Sequence, residues 1–256
     1  MGKVIFVGAG PGDRDLITVK GVKALRDADV VLYDALLSTE LFEHCKPHCK
    51  FVYVGKRKGR KEFPQEEINK LLVFYARRYN CVVRLKGGDP NVFGRGHEEA
   101  TFVKEHGFET ETIPGVSSAI AAPNAAGIPL TKRGVNESFW VITGTLSTGE
   151  LSNDIRLAAQ STATLVILMG YSHLRSIAKL VSNLRSPAEP IAIIQHATFA
   201  QQKLVFGTAS TIESIAMQQN IGAPAVIVVG RVVNERKSLP RSITNAIHSL
   251  KKPETV

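Results

Sequence analysis

The chain has 256 residues, of which 44% are hydrophobic, so it is long enough for one large domain or two modest ones around a packed core. No apolar run approaches the ~20 residues of a membrane-spanning helix, and the amino terminus has neither a signal peptide nor a myristoylation site. The formal charge of +9 favours an acidic partner, and we expect a soluble cytoplasmic protein without a disulfide framework, because its three cysteines are an odd number.

The first predicted strand, residues 3–7, runs into a glycine-rich loop, Gly8-Ala-Gly-Pro-Gly-Asp13. A dinucleotide fingerprint would require a third glycine at position 13, where Asp13 would instead repel a pyrophosphate. The loop therefore suits a ligand without phosphates, such as S-adenosylmethionine with its positive sulfonium. A helix is predicted over residues 18–27.

Two further strands are predicted over residues 28–33 and 50–54, and each is followed by charged residues. Asp34 comes at the carboxyl end of the first of them, where open α/β sheets place their ligands, although a helix-capping aspartate would also fit that position. The other strand is followed by the basic cluster Gly55-Lys56-Arg57-Lys-Gly-Arg-Lys61. A solvated surface would explain such a cluster, but its place at the same end of the sheet favours a docking surface for a polycarboxylate.

A segment between these strands, His44-Cys-Lys-Pro-His-Cys49, carries four side chains that could bind a soft metal. Their spacing is cramped, and no second pair follows at zinc-finger distance. We interpret the segment as a surface loop and expect no metal.

The pattern around residues 81–106 is the most informative in the chain. An amphipathic helix is predicted over residues 65–79, then a buried strand, then Arg84-Leu-Lys-Gly-Gly-Asp-Pro-Asn-Val-Phe-Gly-Arg-Gly-His-Glu-Glu99, which opens a helix over residues 97–106. Gly87 and Gly88 allow a close backbone approach to a ligand, and Glu98-Glu99 suit the first turn of a helix. An ordinary tight connection between strand and helix would use the same residues.

The remaining elements repeat an α/β order. A strand at 109–113 leads into the small-residue segment Pro114-Gly-Val-Ser-Ser-Ala119, and Pro and Gly residues place a domain boundary between residues 131 and 132. The second domain, 132–240, has predicted strands at 138–143, 164–169, 191–195, 203–206 and 225–229, with helices near 172–184 and 211–218. Antiparallel pairing is expected between the strands at 191–195 and 203–206, because no helix fits between them. Residues 241–256 form a polar tail.

Seven of these motifs occur together in order: Gly8 to Asp13, Tyr33-Asp34, Val54 to Arg57, Gln65 to Asn69, Arg84 to Glu99, Pro114 to Ala119, and Ala126 to Thr131. With them the chain strongly resembles the uroporphyrinogen-III C-methyltransferases, a branch of the S-adenosylmethionine-dependent tetrapyrrole methylases. The resemblance is dense over residues 1–145 and looser to about residue 233.

The resemblance implies two α/β domains with S-adenosylmethionine in the cleft between them, a homodimer, a tetrapyrrole substrate, and neither nucleic acid nor a membrane as partner. It implies Asp34 as proton acceptor, Lys56 as proton donor and Arg57 as a substrate contact. The cofactor contacts that it implies are Pro11, Gly87, Gly88, Asp89, Val92, Ser117, Ser118, Met169 and Ala197. The implied reaction transfers two methyl groups to uroporphyrinogen III and yields precorrin-2.

Several residues depart from the family pattern, among them Lys61, Ala125 and Lys132. These departures concern substrate handling more than the cofactor site. They leave open a related methylase that acts on a later corrin intermediate. The +9 charge also leaves open the ribosomal RNA methyltransferases that share this architecture. A non-catalytic sirohaem-binding or regulatory protein is a third interpretation, although Asp34, Lys56 and the Gly-Gly-Asp motif argue against it.

Overall fold

The computed structural model describes residues 2–55 and 64–236, which form two compact units. The first unit contains the residues up to Ala122 together with the segment His196–Gln202, and the second contains Pro123–Gln195 and the residues from Lys203 onward. The domain boundary expected after Thr131 stays a prediction.

The first unit is built on a parallel five-stranded sheet in the order β3-β2-β4-β1-β5. Its strands are β1 (Lys3–Gly8), β2 (Val30–Tyr33), β3 (Lys50–Tyr53), β4 (Cys81–Lys86) and β5 (Glu109–Ile113). Its helices are α1 (Val19–Asp27), α2 (Gln65–Ala76) and α3 (Gly96–Glu105), and α4 (Ser118–Ala125) continues into the second unit. Because all five strands are parallel, the loops that follow them lie along the same edge of the sheet.

Local sequence explains how these helices begin and end. The hydroxyl of Thr18 caps α1 by accepting a hydrogen bond from the Gly21 amide at 3.1 Å. The apolar stripe of α2 is buried at Ile68, Leu72 and Tyr75, as its periodicity predicts. The helix stops at Ala76, three residues earlier than predicted, although Tyr79 still packs against the same core.

The second unit is also α/β, but its sheet is mixed, with the order β6-β7-β10-β8-β9. The strands are β6 (Phe139–Thr143), β7 (Thr164–Leu168), β8 (Pro190–Gln195), β9 (Lys203–Thr208) and β10 (Ala225–Val229), and the helices are α5 (Asp154–Ala159), α6 (Leu174–Leu184) and α7 (Ile212–Gln218). The expected antiparallel pairing of β8 with β9 is confirmed. The short helix α5 was not predicted.

Arg185 is a buried cation that holds together the end of α5. Its guanidinium donates to the carbonyls of Ala158, Ala159 and Ala163 at 2.8–3.2 Å and pairs with Glu189 at 3.0 Å. Only 7% of its side chain is exposed. The end of α5 and the residue that precedes β7 are therefore both held by the Arg185 side chain.

We expect Arg185→Met to lower the free energy of unfolding by about 3 kcal/mol, because it leaves buried carbonyls and a carboxylate without their donor. Arg175→Met is the matched control, since Arg175 pairs with Glu213 at the surface with 81% of its side chain exposed. Urea unfolding of both variants measures the difference, and equal stability of the two would contradict the role given to Arg185.

None of the helices in the described ranges, 2–55 and 64–236, is both long and apolar enough to cross a membrane. The cytoplasmic location stays a prediction.

Candidate active site

Three glycines bring the loops after β1, β4 and β5 into direct backbone contact. A Cβ atom on Gly8 would lie 2.5 Å from the Gly115 Cα and 2.7 Å from the Gly88 carbonyl oxygen, and a Cβ on Gly115 would collide with the same oxygen. Real Cβ atoms essentially never approach other atoms so closely. The three loops can therefore meet only if these positions carry no side chain.

The loops after β1 and β4 are also hydrogen-bonded to each other. The Gly88 amide donates to the Gly10 carbonyl at 2.7 Å, and the Gly10 amide donates to the Gly88 carbonyl at 3.2 Å. Both glycines have positive φ, +80° at Gly10 and +68° at Gly88, a region that strains other residues. Pro11 is thereby placed beside the Gly87-Gly88 turn.

Asp89 and Ser117 organise the loops that follow. The Asp89 carboxylate accepts from the Gly115 amide at 3.0 Å and from the Asn91 amide at 2.8 Å, so it ties the loop after β4 to the loop after β5. The Ser117 hydroxyl accepts from the Ala119 amide at 3.2 Å at the start of α4. We therefore assign the Asp89 side chain to loop structure, which leaves its backbone as the part that a cofactor would meet.

The segment that carries Ala197 packs on the first loop. The Thr198 hydroxyl accepts from the Asp13 amide at 2.9 Å, and a Cβ on Gly12 would collide with the Phe199 ring. His196 and Thr198 have φ values of +48° and +67°, so this turn is held in a strained conformation. Nothing in the sequence pattern indicated that these residues belong with the first unit.

The candidate cofactor residues are thus grouped in the first unit, apart from one. Met169 belongs to the second unit, directly after β7, with φ at +54° and its carbonyl accepting from the Thr145 hydroxyl at 2.6 Å. The residues that the first unit brings to the carboxyl edge of its sheet are Pro11, Gly87, Gly88, Asp89, Val92, Ser117, Ser118 and Ala197. Lys56 and Arg57 lie outside the described residues, as does Lys61.

Gly88 offers a test of whether these residues suit S-adenosylmethionine. A Cβ on Gly88 would meet nothing closer than the Ser118 amide nitrogen at 3.8 Å and the Ser117 Cα at 3.9 Å. This face of the turn is therefore open, and the atoms nearest to it belong to the backbone of two serines. The open face leaves room for a ligand such as S-adenosylmethionine to approach the backbone of the turn.

Asp34 lies after β2 at the same edge, next to the glycine turn. Its carboxylate accepts a hydrogen bond from Arg84 Nη2 at 2.7 Å. The short 3-10 helix that follows, Thr39–His44, is capped by Ser38 and not by Asp34. The Leu36 carbonyl oxygen would lie 2.6 Å from a Cβ on Gly87, so the loop that carries Asp34 packs directly on the turn.

Behind Asp34 lies a chain of buried charges that sequence reasoning did not identify. Arg84 Nε donates to one oxygen of Glu99 at 3.1 Å, and Lys86 Nζ donates to the other at 2.9 Å. Their side chains are at most 5% exposed. Burial alone would lower the pKa of Arg84, but the carboxylates of Glu99 and Asp34 outweigh it and raise that pKa. Burial and the neighbouring Arg84 cation lower the pKa of Lys86.

The segment at residues 44–49, with two histidines and two cysteines, has neither a reactive thiol at Cys45 nor, among the described residues, a metal site. Burial, together with the neighbouring Cys49 thiol, raises the pKa of Cys45 to about 12, which disfavours the reactive thiolate. Across residues 2–55 and 64–236, no group of three or more His, Cys, Asp or Glu side chains is placed to hold a metal ion.

Comparison with known proteins agrees with this geometry. The chain belongs to the tetrapyrrole (corrin/porphyrin) methylase family, whose sequence profile it matches over residues 3–213. It is 50% identical to a uroporphyrinogen-III C-methyltransferase of Methanocaldococcus jannaschii over 91% of this chain and 97% of that protein. The family resemblance and the α/β class predicted from the motifs are therefore confirmed.

Two solved structures place the fold within the same family. One is the uroporphyrin-III C-methyltransferase of Thermus thermophilus in complex with S-adenosylhomocysteine, with a TM-score of 0.78 and 39% identity, covering 91% of this chain and 99% of that one. The other is a cobalt-precorrin-4 methyltransferase of cobalamin biosynthesis, with a TM-score of 0.80 and 29% identity, covering 90% of this chain and 95% of that one.

Proposed function

We propose that this protein is an S-adenosylmethionine-dependent C-methyltransferase that methylates uroporphyrinogen III twice and yields precorrin-2. The identity of 50% over nearly the whole length of both chains supports this substrate more strongly than the 29% identity to the cobalt-precorrin-4 enzyme supports a later intermediate. The observation that carries the catalytic proposal is the Asp34 carboxylate. It is held by Arg84 at the sheet edge where the loops of three neighbouring strands meet.

In the proposed reaction, S-adenosylmethionine supplies a methyl group on a positive sulfonium, and a pyrrole carbon of the substrate takes this methyl while the sulfur keeps the bonding electron pair. The chain positions the two reactants, since alignment supplies much of the acceleration when the leaving group is already good. Asp34 accepts the proton that the macrocycle releases, and Lys56 supplies a proton to it. The backbone of Gly87, Gly88, Ser117 and Ser118 holds the cofactor.

The charge of the protein suits the proposed substrate. Uroporphyrinogen III carries eight carboxylates, and the chain has a net charge of +9 with a basic cluster at residues 56–61. Arg and Lys pair with carboxylates, so this cluster would attract the substrate without any nucleic acid.

Anaerobic incubation with uroporphyrinogen III and methyl-labelled S-adenosylmethionine tests the proposal. We expect two labelled methyl groups in the tetrapyrrole by mass spectrometry. A second incubation offers a later corrin intermediate in place of uroporphyrinogen III. If uroporphyrinogen III stays unlabelled and the later intermediate is labelled, the protein belongs to the alternative branch. Labelling of ribosomal RNA alone would overturn the tetrapyrrole assignment.

Arg57→Ala should raise the Michaelis constant for the tetrapyrrole severalfold and leave the affinity for S-adenosylhomocysteine unchanged, because Arg57 is proposed to attract the substrate only. The effect should shrink in high salt, since dissolved ions screen the attraction between a cation and the carboxylates of the substrate. Arg175→Ala, which removes an exposed arginine of the second unit, is the control. Equal losses of affinity for both ligands would show that Arg57 has a structural role.

We also propose a homodimer, on the resemblance to the family alone. Light scattering at micromolar concentration measures the mass, and a mass close to the 27.8 kDa of one chain would contradict the proposal.

A further inference from the structure

The buried charges behind Asp34 form one continuous line of alternating sign. Asp34 contacts Arg84 at 2.7 Å, Arg84 contacts Glu99 at 3.1 Å, and Glu99 contacts Lys86 at 2.9 Å. Side-chain exposure falls from 27% at Asp34 to 2% at Arg84 and 1% at Glu99. Only the Asp34 end of the line is partly exposed, and it is the end at the sheet edge.

The guanidinium of Arg84 donates three hydrogen bonds within the protein. Nε donates to Glu99, Nη1 donates to the Leu85 carbonyl at 3.2 Å, and Nη2 donates to Asp34. Because the guanidinium is planar and rigid, fixing its inner edge fixes the direction in which Nη2 points. The position of the Asp34 carboxylate therefore depends on Glu99, a residue that does not touch it.

Glu99 is itself fixed from two further sides. Oε1 accepts from Lys86 Nζ and, at 3.0 Å, from the side-chain Nε2 of Gln65. Residues of β4 and α2 therefore hold one oxygen of Glu99, while Arg84 holds the other. Burying these ions gives little stability by itself, since well-packed apolar residues of similar size would serve as well or better. A role in fixing the orientation of the Arg84 guanidinium would account for this arrangement.

We infer that Glu99 is a positioning residue for methyl transfer, which fixes the Asp34 carboxylate through Arg84. The inference rests on the role of Asp34 proposed above. It goes beyond the residues that the family resemblance implies, because neither Arg84 nor Glu99 is among them.

Glu99→Gln tests the inference, because it keeps the shape of the side chain and weakens its hold on Arg84. Glu98→Gln is the matched control: Glu98 precedes Glu99 in α3 but pairs with Arg95 at the surface, where 57% of its side chain is exposed. Titration with S-adenosylhomocysteine counts the folded sites in each preparation, and the single-turnover rate at saturating substrates is expressed per site. We expect Glu99→Gln to lower this rate by roughly tenfold to a hundredfold, the scale of a misplaced catalytic group, with unchanged S-adenosylhomocysteine affinity. Glu98→Gln should leave both unchanged.

A second variant distinguishes a loss of catalytic rate from a loss of folding. Removing the charge of Glu99 leaves the buried cations Arg84 and Lys86 under-compensated, which is destabilising. The double variant Lys86→Gln/Glu99→Gln removes one charge of each sign and leaves the pair of Asp34 with Arg84 in place. We expect the double variant to fold and to show the same loss of rate per site.

A double-mutant cycle with Asp34→Asn distinguishes failure of the inference from failure of the proposed function. If Glu99 acts through Asp34, Glu99→Gln should cost almost nothing further in the Asp34→Asn background. A normal rate per site in Glu99→Gln, or an equal loss in both backgrounds, would overturn the inference. A normal rate in Asp34→Asn alone would instead overturn the proposed role of Asp34.

Discussion

Gly87→Val is expected to weaken S-adenosylhomocysteine binding by about a hundredfold or more, because it forces apart two backbone segments at the proposed cofactor site. A Cβ on Gly87 would lie 2.6 Å from the carbonyl oxygen of Leu36 and 3.2 Å from its Cβ. The turn resists displacement, since Gly88 is tied to Gly10 by two hydrogen bonds. The displacement must move the Gly87-Gly88 turn, the loop that carries Asp34, or both.

The sequence alone suggests that this variant would keep its fold intact and lose only the cofactor, because a glycine at this position would make room for a ligand. The structure shows that Gly87 makes room for Leu36, so we also expect a loss of about 2 kcal/mol in unfolding free energy. Gly222→Ala is the control, since a Cβ there would be in ordinary contact, 3.5 Å from Gln195 Nε2. Calorimetric titration that gave the parent affinity in a folded Gly87→Val protein would refute this placement of the cofactor.

The strands and their order along the chain could be predicted because local pattern determines them. The apolar run of β4, the glycines after it and the acidic start of α3 predict a strand, a tight turn and a helix, which the structure contains. The sheet order β3-β2-β4-β1-β5 has no such local signal, since it depends on which buried faces pack together. The same holds for residues 196–202, whose contacts with the loop at residues 8–13 include one hydrogen bond and the ring of Phe199.

The charge line behind Asp34 does have a signal in the sequence, beyond the favourable placement of Glu98 and Glu99 in the first turn of a helix. Arg84 and Lys86 are two residues apart in a strand, so their side chains point to the same face of a sheet that is otherwise apolar. Two cations on a buried face require an anion, and Glu99 in the following helix is within reach. Only the structure separates the two glutamates, with Glu98 at the surface and Glu99 almost fully buried.

The alternative interpretation of Asp34, a helix cap, also depended on information that the sequence lacks. An aspartate after a strand can be the N-cap of a helix only if the helix begins at the next residue. Here the next helix begins at Thr39, and Ser38 accepts from the Glu40 amide at 3.3 Å. Asp34 is therefore too far from the helix to cap it, and its carboxylate accepts a hydrogen bond from Arg84 instead.

Asp34→Asn is expected to lower the single-turnover rate of methyl transfer by roughly a hundredfold or more, the usual effect of removing a general base. The amide keeps the shape of the carboxylate and can still accept from Arg84 through its oxygen, so the loop should keep its position. It cannot take the proton that the macrocycle releases. Affinity for S-adenosylhomocysteine should change little, because the residues proposed to hold the cofactor lie on the loops after β1, β4, β5, β7 and β8, whereas Asp34 follows β2.

Stability and rate have to be measured on the same protein, since Asp34 also neutralises part of the charge on Arg84. We expect the melting temperature to fall by only a few degrees, as about 1 kcal/mol would cause in a chain of this size. Asp27→Asn is the control, because Asp27 is an exposed aspartate at the end of α1, away from the site. A near-normal single-turnover rate together with a clearly lowered melting temperature would assign Asp34 to structure, and the proton acceptor would then have to be sought elsewhere along the sheet edge.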